Sequence, residues 1–228
     1  MAIVKTNFTA PTLSGNSAEL LAYLQANAAD YFDEITADGS GNISCKVGAT
    51  TALLIGMDGT TLRKVALANG RYIQCENDGG YTVDPKTALF VFAKKTSKGI
   101  LLATQVALVG GTDSGRQTYF ITKNEVGDTC IIGYIQTDWQ AASTATYYCA
   151  DIKNDTTIFT PLTGTSYANR SQLSKSAAVT AMTHAIFSGG HYAPHVFFTT
   201  FNQFALTECD IIINDNAYTT DGVIALGD

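Results

Sequence analysis

Charge is what this chain has least of. Asp, Glu, Lys and Arg make up 15% of its 228 residues, against roughly 25% in an ordinary soluble domain. A disordered segment needs high charge and few aromatics, and with 10% aromatic residues this chain has the opposite profile. No apolar run approaches the ~20 residues of a membrane-crossing helix, so no membrane partner is expected. The formal net charge is −6 and no basic block interrupts it. Phosphate-driven binding of nucleic acid therefore lacks its electrostatic basis. The start of the chain, Met1-Ala2-Ile3-Val4-Lys5, has no apolar h-region, so export through a signal peptide is not expected. Proline is scarce too, at 4 residues, and no Pro- or Gly/Ser-rich linker divides the chain.

Cysteine provides no framework. The five cysteines (Cys45, Cys75, Cys130, Cys149 and Cys209) are odd in number and contain no C-x-x-C pair. That speaks against both a disulfide scaffold and a zinc knuckle. Each lies two positions from an apolar residue, as in Ile43-x-Cys45-x-Val47 and Cys130-x-Ile132. Strand alternation then puts the thiols on apolar faces as small core residues of a reducing compartment.

What the chain does have is threonine, 31 residues of it, together with 20 glycines. Short β-type runs separated by Gly48-Ala49, Asp58-Gly59 and Asn69-Gly70 predict a hairpin meander, because these residues supply the positive φ of tight turns. Further strands are expected at 89–94, 100–109, 119–123, 130–137, 145–152, 156–161, 196–204 and 210–226. One helix is predicted over 16–35. Leu20, Leu24, Ala28, Tyr31, Phe32 and Ile35 make an apolar stripe, and Asn16 with Glu19 forms a capping box. Residues 173–187 carry two signals: Leu173, Ala177, Ala181 and Ala185 fit a second helix, while Val179, Thr180 and Thr183 are β-branched. The helix is the expectation there, with strand as the alternative. The fold class is thus mainly β (α+β), an antiparallel sandwich or barrel-like domain. Residues 1–36 form an extended arm and helix, and 37–228 a β-rich domain with a subdivision near 115 as the alternative.

Several motifs fail on chemistry. Gly110-Gly111-Thr112-Asp113-Ser114-Gly115-Arg116-Gln117 has the spacing of a phosphate loop but lacks its Lys and Ser/Thr, so it reads as a surface turn. Ser166 sits in a loose nucleophile-elbow setting without the downstream acid before His184. Asp38-Gly39-Ser40-Gly41-Asn42 lacks the sixth-position Gly and twelfth-position Glu of a calcium loop and is read as a turn.

Two candidate sites remain. His184, His191 and His195 fall within twelve residues. Clustered imidazoles are the sharpest metal signal present, with Glu208 or Asp210 as a further ligand. Their spacing matches no zinc motif, so three histidines in a polar loop is the simpler reading. Trp139, between Asp138 and Gln140, with Tyr147 and Tyr148 nearby, is a candidate sugar-stacking platform. The four Asn-x-Ser/Thr matches follow from the threonine excess.

The last third carries a resemblance. Thr157-Ile158-Phe159-Thr160-Pro161-Leu162, the run 193–204 (APHVFFTTFNQF) and the end 210–228 (DIIINDNAYTTDGVIALGD) resemble uncharacterised structural proteins of tailed phages and prophages from gut Gram-positive bacteria. The resemblance covers about a third of the chain and brings no catalytic residues. It implies a head- or tail-associated virion component, made in the host cytoplasm. Such a protein would be no enzyme, need no cofactor, and have copies of itself and other virion proteins as partners. The alternatives are a module binding cell-surface glycans through Trp139, Tyr147 or Tyr148, and a metal-assisted hydrolase built on His184, His191 and His195.

Overall fold

A computed structural model of the chain describes residues 3–8, 13, 16–58, 61–67, 72–74, 90–104, 107–109, 112–114, 116–136, 145–152, 179–186, 191–201, 209–213, 215–220 and 224–227. The expected strand at 156–161 and the Asn69-Gly70 turn lie outside them. Within them the chain is a set of antiparallel sheets with one short helix, the β-rich α+β class its composition implies.

After the strand β1 (Ile3–Phe8) comes the helix α1 (Ser17–Asn27). A first sheet follows in strict meander order: β2 (Glu34–Ala37), β3 (Ile43–Val47), β4 (Thr50–Asp58), β5 (Thr61–Leu67) and β6 (Tyr72–Gln74). The next strands are β7 (Phe90–Lys95), β8 (Gly99–Thr104), β9 (Ala107–Val109), β10 (Thr112–Ser114), β11 (Arg116–Lys123), β12 (Thr129–Gln136) and β13 (Ala145–Asp151). They build a second sheet, β13-β12-β11-β8-β7, with β9 and β10 as a separate ribbon. Last come β14 (Val179–Ile186), β15 (Tyr192–Phe201), β16 (Cys209–Ile213), β17 (Asn216–Thr220) and β18 (Ile224–Gly227). These form a third sheet in the order β1-β16-β17-β18-β15-β14, with β1 as its outer strand.

The second sheet is the middle layer. Ala93, Ile100, Leu102, Tyr119, Ile121 and Ile131 belong to the core shared with α1 and with Ile43, Cys45, Leu53 and Ile55 of the first sheet. The alternate positions Phe92, Leu101, Ala103, Phe120, Cys130 and Ile132 are equally buried. They lie on the face toward β15 and β18, where Val196 and Leu226 are buried. Registers Tyr119↔Leu102, Phe120↔Leu101 and Ile121↔Ile131 keep the two sets in phase across the sheet. A strand covered on both faces needs apolar residues at every position, which is why 100–103 reads Ile-Leu-Leu-Ala rather than alternating. Each fully buried large side chain contributes about 1.5–3 kcal/mol.

Threonine hydroxyls tie the layers together. Thr129 Oγ1 donates to the Tyr31 carbonyl at 2.6 Å, joining the middle sheet to the turn after α1. Thr96 Oγ1 donates to the Gly227 carbonyl at 3.0 Å, joining it to the third sheet. Thr122 Oγ1 satisfies the Lys98 carbonyl at 2.6 Å inside the middle layer. A buried hydroxyl that reaches a carbonyl removes a desolvation penalty that a charged side chain there could not.

Three expectations are corrected. The helix begins as predicted, with Asn16 Oδ1 accepting the Glu19 amide at 2.8 Å, but it ends at Asn27 and not at Ile35. The amides of Tyr31 and Phe32 both donate to the Ala28 carbonyl, and the Asp33 amide donates to Lys46 O. Residues 34–37 therefore join the β3 ladder. Asp38 closes that hairpin by accepting from Asn42 Nδ2 and from the amides of Ser40 and Asn42. These bonds, the Asn42 side chain first, hold its carboxyl below the usual range. Second, residues 179–186 are strand β14 rather than helix, paired along β15, so the β-branched signal outweighs the alanine spacing there. Third, within the expected turn 110–117, Thr112–Ser114 is a strand folded back on Ala107–Val109, with Gly110-Gly111 between them.

Candidate functional site

A described polar constellation that bonds two layers forms where the β11–β12 hairpin meets the start of β15. The hairpin loop, Asn124 to Asp128, is a self-capped turn. Asn124 Oδ1 accepts the amides of Val126 (3.2 Å) and Asp128 (2.9 Å), and the Gly127 amide donates to Asn124 O at 3.0 Å. Gly127 takes φ +90°, a left-handed conformation that side-chain-bearing residues rarely adopt. Asparagine at the loop's first position and glycine at its fourth dictate this shape.

The turn presents Glu125 to β15. Its Oε1 lies 2.6 Å from His191 Nδ1, and its Oε2 accepts the Tyr192 amide at 2.8 Å. The Glu125 amide donates in return to the Tyr192 carbonyl at 3.1 Å. Partial burial pushes the Glu125 carboxyl up. The Tyr192 amide, its own amide and the neighbouring His191 outweigh that and hold it below the usual carboxylate range. The pair is a charge-assisted clamp between the middle and third layers. Val126 and Tyr192, beside it, are exposed apolar side chains.

The predicted histidines are thus distributed. His184 lies on β14 at the register position opposite Phe197. His191 is engaged by Glu125, and His195 is partly buried on β15. They are not three histidines of one loop: His184 and His195 sit on neighbouring strands. The β14–β15 register jumps from Ala185↔Ala193 to His184↔Phe197. This bulge contains Pro194, which has no amide to give a ladder. The bulge shifts the strand's phase, so Ala193 and Val196 are both buried although they are three apart. Among the described residues no three His, Cys, Asp or Glu side chains gather to hold a metal ion. Asp210, a suggested further ligand, is on β16 opposite Asn7; Glu208 is outside the described residues.

Trp139 also lies outside the described residues. Tyr147 and Tyr148 are consecutive on β13, opposite Tyr134 and Gly133, so their register positions fall on opposite faces of an edge strand. Cys45 and Cys130 are buried thiols. Burial pushes the Cys45 thiol up to about 12, which removes it as a thiolate nucleophile. Glu125 carried no sequence signal as a partner of His191, being 66 residues away within an ordinary turn. No family model matches the chain, and neither the curated proteins nor the solved structures contain a significant match.

Proposed function

We propose that this chain is a head- or tail-associated structural protein of a phage or prophage particle, working by assembly with copies of itself and other virion proteins and not by catalysis. The observation that carries the reading is the chemistry of its sheet edges. Solitary β proteins guard their edges with charge, proline or short strands. Among the described residues β14 (VTAMTHAI) is an eight-residue edge strand with no Lys, Arg, Asp, Glu or Pro. β13 (ATYYCAD), an edge of the middle sheet among the described residues, carries one charge at its last position. Such edges suit continuation into a neighbouring subunit. The likeness of the last third to phage structural proteins supplies the particle.

Two measurements test it. Light scattering across a concentration series should show a defined oligomer, and Thr183→Lys on β14 should weaken it while leaving the far-ultraviolet dichroism unchanged. Mass spectrometry of density-purified particles from an induced host carrying the gene should find the chain at fixed stoichiometry. A strict monomer at high concentration overturns the assembly reading, and absence from the particles overturns the virion reading.

A further inference from the structure

We draw no further inference here: the strongest candidate, the exposed surface patch of Val126 and Tyr192 where the β11–β12 hairpin loop meets the start of β15, carries nothing because nothing in the structure shows what covers it.

Discussion

Replacing Gly99 by alanine tests the layered packing at one atom. Gly99 opens β8 opposite Thr122, at the end of the β7–β8 hairpin. Its φ lies outside the left-handed region, so a side chain is not barred by the backbone. At such positions Gly→Ala ordinarily stabilises by about 0.4–1 kcal/mol, through the entropy of the unfolded chain. Here the added Cβ would lie 2.6 Å from the Ile121 carbonyl oxygen and 3.1 and 3.2 Å from the two methyls of Leu226. The first contact is with the backbone of β11 and cannot be relieved by a rotamer change. The second pushes on the third sheet. Overpacking of this kind costs about 1–3 kcal/mol, so the net expectation is a loss of about 2 kcal/mol. With m of about 2–3 kcal/mol/M for urea, the midpoint should fall by roughly 0.7–1 M. Gly39→Ala is the internal control, since its Cβ meets nothing within 4 Å, and it should be neutral or slightly stabilising. Adding Leu226→Ala to Gly99→Ala should recover only the side-chain part of the loss, less its own cavity cost, and leave the β11 contact in place. A Gly99→Ala protein as stable as the parent would refute the close approach of the middle and third layers.

Two threonine-to-valine changes should differ in effect. Thr129→Val breaks the bond to the Tyr31 carbonyl and should cost about 1–2 kcal/mol, whereas Thr118→Val removes a buried hydroxyl that has no partner among the described residues and should be neutral or stabilising; urea midpoints measured side by side check the contrast. Glu125→Gln should cost about 1 kcal/mol at pH 7, a figure discounted for the partly exposed pair. The Glu125 carboxyl is lowered in the folded state, so its contribution is present above the unfolded value of about 4.3 and is lost as pH falls through the folded value. The stability gap between parent and variant should therefore close below about pH 4, and a constant gap down to pH 3 contradicts the clamp. Cys45 and Cys130 are buried, so a thiol reagent should leave both unmodified in the native protein and react with both in denaturant, as peptide mapping would show.

The fold class was legible because threonine, glycine turns and period-two runs agree with one another. The turns at Gly48-Ala49 and Asp38–Asn42 fall where local chemistry puts them, since Asp38 caps its own loop. The end of α1 was not legible. The stripe Leu20 to Ile35 continues in phase while the chain leaves the helix, because Tyr31 and Phe32 are buried by turns rather than by helical faces. β14 was masked by alanines whose spacing imitates a helix. Its strand state comes from pairing with β15, a tertiary influence absent from local propensity. The three histidines drew attention by proximity in sequence. Strand register and the bulge at Pro194 separate them, and the carboxylate that engages His191 comes from another layer.

Apart from β1, the three large sheets follow one another along the chain as they follow one another in space: residues 34–74, then 90–151, then 179–227. This bears on the order in which the protein is made. A growing chain emerges at roughly 5–20 residues per second, so the first two layers can dock before the third has left the ribosome. β1 has no such schedule. Its partner begins at Cys209, 201 residues after Phe8, so the strand waits roughly 10–40 s at those rates for its own ladder. β1 is therefore made first, yet it can take its place in the third sheet only once β16 has been made.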